Sequence, residues 1–153
     1  MTAPPTPPVP PVTGHRGPPA IADLDPAEEA LVVPLSRVLI VDDEPDLRFL
    51  LRRILESAGH EVSEAGNGAD ALSAVRRSRP DVVVTDMMMP IMDGVELIQR
   101  LRGDPTMRDI PIVAVSGHGH LAVHADTVVA KPFHPHVLLA AVNALLARKA
   151  ETT

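Results

Sequence analysis

The 153-residue sequence predicts an α/β fold in which a parallel sheet is covered by helices on both faces. Two observations support this prediction. Short apolar segments alternate about five times with segments that have helical periodicity. The apolar segments are nearly continuous runs of Val, Leu and Ile, which is typical of parallel strands buried on both faces.

Two strand–helix pairs are predicted first. Residues 38–41 form a short β-branched apolar run that ends in acidic residues, as expected of a buried strand. Residues 46–58 carry Leu and Ile at helical spacing, and Gly59 follows this helix as a C-cap. Residues 61–65 form a weaker strand, and a glycine-rich turn then leads into a helix at 69–77.

The remaining elements continue the alternation. Residues 81–86 are strongly apolar until the final aspartate, and a helix is predicted at 94–102. Residues 110–116 form another buried strand, and residues 127–130 are a short apolar run that completes the sheet. The closing helix at 135–149 carries Leu and Val at helical spacing.

Residues 1–36 differ in composition from the rest of the chain. They contain ten of the 17 prolines, which remove backbone donors and fix φ, so an extended and disordered tail is predicted. A docking segment for a partner with an aromatic groove is the alternative. A Pro at the first helical position predicts a short helix near 26–32. The expected domain therefore spans 37–149, and 150–153 form a second tail.

Composition excludes several classes of function. The net charge of −6 argues against binding to nucleic acid or to an anionic membrane, because both reward an excess of Lys and Arg. The chain has no Cys, so disulfides and thiolate metal sites are excluded. No apolar run approaches the ~18 residues of a membrane helix, and no signal peptide is evident at the N-terminus. A cytoplasmic protein is therefore expected.

Polar residues lie at the ends of four of the five predicted strands. They are Asp42 and Asp43 after the first strand, Asp86 at the end of the third, Ser116 on the fourth and Lys131 after the fifth. Ligands of such sheets bind at the carboxyl ends of the strands. Three neighbouring carboxylates repel one another unless a cation is present, and Mg²⁺ prefers oxygen ligands. The pattern predicts phosphoryl transfer to an aspartate, assisted by Mg²⁺, a Lys and a hydroxyl.

Four segments resemble the receiver domain of two-component response regulators. They are 38–45 (VLIVDDEP), 81–94 (DVVVTDMMMPIMDG), 112–117 (IVAVSG) and 130–133 (AKPF). The resemblance covers about residues 37–148 and implies the flavodoxin-like fold of receivers. It implies that the five parallel strands lie in the order 2-1-3-4-5.

The resemblance also implies a role for individual residues. Asp86 would accept a phosphoryl group from a histidine kinase or a phosphotransfer protein. The ligands of Mg²⁺ would be Asp42, Asp43, Asp86 and the main-chain carbonyl of Met88. Of Asp42 and Asp43, the latter is the one expected to bind the ion directly. Because the side chain of Met88 is bulky and neutral, slow attack by water on the phosphorylated residue is predicted.

The resemblance also makes Ser116 the switch hydroxyl and Lys131 the partner of the phosphate, with a cis peptide bond before Pro132. Two features of the sequence depart from the family pattern. Receivers usually carry an aromatic residue three positions before the Lys, where this chain has Val128. The segment 117–125 is also short, so the fourth helix is expected to be shortened or missing. Both features fall where receivers usually transmit their output.

A cluster of histidines follows the fourth strand. A metal site is one interpretation. The absence of Cys and the irregular spacing favour exposed or packing roles. The residues are His118, His120, His124, His134 and His136.

The leading interpretation is a stand-alone receiver that signals through altered contacts with an unknown target protein. It would catalyse only its own phosphorylation and dephosphorylation. No helix-turn-helix is recognised before the chain ends at Thr153, so no nucleic-acid role is expected. The first alternative is a phosphorylation-independent scaffold, suggested by Val128. The second is an aspartyl-phosphate hydrolase, which Met88 argues against, because such enzymes typically place a second Asp there.

Overall fold

The computed structural model describes residues 36–117 and 121–151, together with Thr2 and Pro5. The helix predicted near 26–32 lies outside the described residues. None of the helices that the structure describes is both long enough and apolar enough to cross a membrane. The strands are β1 (Arg37–Val41), β2 (Glu61–Ala65), β3 (Val82–Asp86), β4 (Ile112–Ser116) and β5 (Thr127–Ala130). The helices are α1 (Pro45–Ser57), α2 (Gly68–Arg77), α3 (Gly94–Gly103) and α4 (Pro135–Glu151).

The strands form one parallel sheet in the order β2-β1-β3-β4-β5. The predicted flavodoxin-like order is therefore confirmed. Successive side chains of a strand point to opposite faces, and each face carries its own hydrophobic core. Leu39 and Val41 pack with α2 and α3, whereas Val38 and Ile40 pack with α1 and α4. All residues of β3 and β4 are buried, as their apolar sequences require.

The end of α1 shows how the sequence terminates a helix. Gly59 has a φ of 92°, a left-handed conformation that glycine adopts without a steric penalty. Its N–H donates to the carbonyl of Glu56 at 2.9 Å, and that of His60 donates to Leu55 at 3.1 Å. These two bonds form a Schellman motif, so the predicted C-cap is confirmed.

The connection from β4 to β5 contains no α-helix among its described residues, 117 and 121–126. This finding agrees with the expectation that the helix between the fourth and fifth strands is shortened or missing. The Arg102 guanidinium holds the connection from α3, because it donates to Asp126 Oδ2 at 2.7 Å and to the His124 carbonyl at 3.1 Å. The same Asp126 oxygen accepts the N–H of Ile112 at 2.7 Å. β4 begins at Ile112, not at residue 110 as predicted, because Ile110 N–H donates to Met107 in the preceding turn.

Candidate functional site

The residues of interest lie at the carboxyl edge of the sheet. Asp42 follows β1, Asp86 ends β3 and Ser116 ends β4. Asp86 is in register with Val115, so Ser116 lies one residue beyond it on the neighbouring strand. Lys131 follows β5, and its N–H donates to the carbonyl of Ser116 at 3.1 Å. Parallel pairing thus carries these four residues to the same edge.

Three carboxylates form the centre of the site. One oxygen each of Asp42, Asp43 and Asp86 lies within 4.8 Å of the others. Among the described residues, this is the one group of at least three His, Cys, Asp or Glu side chains so arranged. Asp42 is 1% exposed and Asp86 is 9% exposed, whereas Asp43 faces solvent. The acidic cluster is therefore partly open to solvent.

Lys131 places a positive charge beside this cluster. Its Nζ lies 3.4 Å from Asp86 Oδ1 and 3.7 Å from Asp42 Oδ2. The ammonium therefore faces two carboxylates, one directly after β1 and one at the end of β3. The peptide bond from Lys131 to Pro132 is cis, as the resemblance implied.

Asp86 is held by its own backbone and by α3. Its Oδ1 accepts the N–H of Met87 at 2.7 Å, and Thr85 Oγ1 donates to the Asp86 carbonyl at 2.7 Å. Gly94, the first residue of α3, donates its N–H to the Met87 carbonyl at 3.0 Å. A Cβ atom at Gly94 would lie 2.3 Å from the Asp86 carbonyl oxygen. Glycine is thus required where α3 approaches the end of β3.

The loop after β1 is tied together by backbone and side-chain hydrogen bonds. The N–H of Asp42 donates to the Ala65 carbonyl at 3.1 Å, which extends the β1–β2 pairing by one residue. Asp42 Oδ1 accepts the N–H of Glu44 at 2.8 Å. Arg48 on α1 donates Nη1 to the Asp42 carbonyl at 2.6 Å and Nε to Glu64 at 3.2 Å. The sequence offered no signal for Arg48, because a carbonyl has no sequence identity and Glu64 is distant along the chain.

Burial raises the pKa of Asp42 above that of an ordinary aspartate. Repulsion from Asp86 and Asp43 acts in the same direction. The hydrogen bond from the Glu44 N–H and the charge of Lys131 oppose the shift without cancelling it. The cluster therefore disfavours the ionised form of Asp42, and a bound cation would favour it.

The donor set fits a small hard cation. Mg²⁺ takes oxygen ligands at about 2.0–2.1 Å in an octahedron, so its opposite ligands lie about 4.2 Å apart. The carboxylate oxygens of Asp42, Asp43 and Asp86 already lie within 4.8 Å of one another. Small side-chain movements would therefore bring them to binding distance. Met88 follows on the connection to α3, and its side chain is 59% exposed.

Among the described histidines, the metal-site interpretation gains no support, and the favoured exposed roles agree with the structure. His124 is exposed and has a φ of 72°, in the left-handed region. His134 and His136 stack at 5.6 Å between ring centroids and are both exposed. None of these three joins a group that could hold a metal ion. His118 and His120 lie outside the described residues.

Sequence comparison identifies a family match over most of the domain. Residues 38–143 match the family described as "Response regulator receiver domain". The phosphate regulon transcriptional regulatory protein PhoB of Pseudomonas aeruginosa is 38% identical over 118 residues, which cover 72% of this chain and 52% of that protein. The DNA-binding response regulator MtrA of Mycolicibacterium smegmatis is 38% identical over 120 residues, covering 74% and 51%. The chain thus spans about half the length of these curated relatives.

Structural comparison leads to the same group. The chemotaxis response regulator CheY4 of Vibrio cholerae is similar with a TM-score of 0.67 and 31% identity. The similarity covers 73% of this chain and 99% of that chain. Unlike the match to the curated relatives, it extends over nearly the whole of the compared chain.

Proposed function

The chain belongs to the receiver-domain family of response regulators, and from this premise we propose that it accepts a phosphoryl group on Asp86. The proposed donor is a histidine kinase or a phosphotransfer protein, the required ion is Mg²⁺, and the proposed setting is the cytoplasm. The main support is the cluster of Asp42, Asp43 and Asp86, whose carboxylate oxygens lie within 4.8 Å, beside the ammonium of Lys131.

The reaction is a transfer between a phosphohistidine and a carboxylate. An oxygen of Asp86 attacks phosphorus while the P–N bond of the donor breaks, and its electron pair remains on the imidazole nitrogen. The product is an acyl phosphate on Asp86. Later attack by water on phosphorus would break the new P–O bond and restore the carboxylate. The chain thus catalyses only its own phosphorylation and dephosphorylation.

Charge neutralisation is the main task of the surrounding residues. Lys131 already lies 3.4 Å from Asp86 Oδ1, so its ammonium is placed to pair with a phosphoryl oxygen. Asp42, Asp43, Asp86 and the Met88 carbonyl are the proposed ligands of Mg²⁺. When bound, this ion neutralises charge on the transferring group. Ser116, at the end of β4, is the proposed switch hydroxyl.

The proposed output is an altered contact with another protein. Val128 on the edge strand β5 is 44% exposed, and no aromatic residue stands there to report phosphorylation. The unusual β4–β5 connection lies on the same side of the sheet. These features also favour a second candidate, a receiver that serves as a scaffold without phosphorylation. The relatives PhoB and MtrA are named as a transcriptional regulatory protein and a DNA-binding response regulator. That this chain signals through a protein and not through DNA is our proposal.

Phosphorylation by a small phosphodonor in the presence of Mg²⁺ tests the proposal. We expect one acid-stable, base-labile phosphate on the wild-type protein and none on Asp86→Asn. The matched control is Asp109→Asn, since Asp109 is an exposed aspartate outside the cluster. An unmodified wild-type protein would favour the scaffold. Repeated rapid turnover of unrelated phosphate esters would instead indicate a hydrolase.

A further inference from the structure

Arg48 on α1 lies against three segments at the carboxyl edge of the sheet, which are the loop after β1, the strand β2 and the turn after β2. Its Nη1 donates to the Asp42 carbonyl at 2.6 Å, and its Nε donates to Glu64 Oε1 on β2 at 3.2 Å. The guanidinium also lies beside the turn after β2, 3.6 Å from the position of a Cβ atom at Gly66. The Arg48 side chain is 22% exposed, and its bond to the Asp42 carbonyl is partly buried, whereas its bond to Glu64 lies at the surface.

These contacts complete a closed set of bonds around one loop. The N–H of Arg48 donates to the Glu44 carbonyl at 3.0 Å, and the N–H of Glu44 donates to Asp42 Oδ1 at 2.8 Å. Asp43 lies between the two bonded loop residues. Its side chain makes no hydrogen bond or ion pair with any residue that the structure describes. The direction of the Asp43 carboxylate therefore depends on the backbone of the loop.

We propose that Arg48 is a positioning residue of the phosphoryl-transfer site. Anchored to β2 by Glu64, it holds the loop so that the carboxylates of Asp42 and Asp43 face Asp86. This inference rests on the proposed function of the cluster. Arg48 itself contacts the Asp42 carbonyl and not the carboxylates, so it acts through the loop and not on the reacting atoms.

Charge and positioning predict opposite effects of removing Arg48. If its positive charge alone mattered, Arg48→Met would strengthen Mg²⁺ binding, because a nearby cation would be lost. If Arg48 positions the loop, the same variant weakens Mg²⁺ binding, because the two carboxylates no longer share a fixed direction. Arg48→Lys keeps the charge but lacks the planar fork that reaches both partners, so positioning predicts an intermediate affinity.

Arg52→Met is the matched control. Arg52 lies one turn further along α1 and donates to the same Glu64 at 2.7 Å, and also to Glu56 at 2.8 Å. Among the described residues, it makes no hydrogen bond or ion pair with the loop that carries Asp42. Its removal therefore takes away a cation and an ion pair but leaves the bond from Arg48 to the loop.

Calorimetric titration of the unphosphorylated full chain with MgCl₂ tests the proposal. We expect Arg48→Met to weaken the affinity about tenfold, which corresponds to about 1.4 kcal/mol, near the lower limit for hydrogen bonds from charged donors. Arg52→Met should bind Mg²⁺ as the wild type does. Equal or tighter binding by Arg48→Met would overturn the proposal. If that variant does not fold by circular dichroism, wild-type affinity in Arg48→Lys would overturn it equally.

The outcome can be separated from that of the proposed function. A wild-type protein that takes no phosphate on Asp86 refutes the proposed function whatever the titrations show. A wild-type protein that is phosphorylated, together with unchanged Mg²⁺ binding in Arg48→Met, refutes only the role of Arg48.

Discussion

Gly94→Ala is expected to disturb the contact between α3 and the end of β3. The added Cβ would lie 2.3 Å from the Asp86 carbonyl oxygen and 2.8 Å from Met87 Cα. Both are backbone atoms, so no side chain can rotate away. Since ordinary contacts begin at 3.4 Å, α3 must withdraw by about 1 Å. Overpacking of this kind costs about 1–3 kcal/mol, and we expect a loss near the upper end.

Urea unfolding followed by far-UV circular dichroism measures this loss, because the chain has no Trp or Tyr to report by fluorescence. With a urea slope of about 1–3 kcal/mol/M, the midpoint should fall by at least about 1 M. The control is Gly103→Ala at the end of the same helix, where a Cβ would meet nothing within 4 Å. If the two variants differ in stability by less than about 0.5 kcal/mol, the steric reasoning is wrong.

Three further outcomes follow from the charges and side chains of the domain. Burial alone would raise the pKa of Asp81, but the Arg37 N–H and the Lys149 ammonium lower it. The stability that ionised Asp81 contributes to the fold is therefore present above the unfolded pKa and is lost as pH falls through the folded pKa. Asp81→Asn should therefore cost about 1 kcal/mol at about pH 7, and chemical unfolding should show a smaller loss at about pH 3. Burial raises the pKa of Asp42, so the folded state favours its protonated form. The stability that this form contributes is complete below the unfolded pKa and is lost as pH rises through the folded pKa. Asp42→Asn should stabilise the metal-free protein by about 1 kcal/mol at about pH 7 while weakening Mg²⁺ binding, and a destabilised metal-free variant would contradict this. Exposed, bulky Met88 should slow hydrolysis of the phosphorylated protein, so release of the label within seconds would contradict the prediction, and Met88→Ala should lose it faster.

Much of the fold followed from local patterns of the sequence. The buried strands are apolar runs rich in Val and Ile, and Gly59 ends α1 where a left-handed residue is needed. Element boundaries were less certain where apolar residues continue into a turn. Ile110 and Pro111 prolong the apolar run before β4, but Pro111 contributes only its carbonyl, which accepts the N–H of Val83.

The candidate site was predictable because β1, β3, β4 and β5 each end in, or are followed directly by, a residue with recognisable chemistry. Parallel strands bring their carboxyl ends to one edge, so the positions of Asp42, Asp86 and Lys131 followed from topology. The supporting contacts were not predictable in the same way. The bond from Arg48 to a carbonyl and the bonds from Arg102 to the β4–β5 connection depend on tertiary packing. Such contacts leave no periodic pattern or motif in the sequence.

Identification of the modified residue tests the central claim most directly. The protein is treated with a small phosphodonor and Mg²⁺, and borohydride then reduces the acyl phosphate to the alcohol, which converts the modified aspartate into homoserine. Peptide mass spectrometry locates that conversion. We expect homoserine at position 86 alone, and only when Mg²⁺ was present. Conversion at Asp42, Asp43 or another acidic residue, or none at all with Mg²⁺ present, would contradict it.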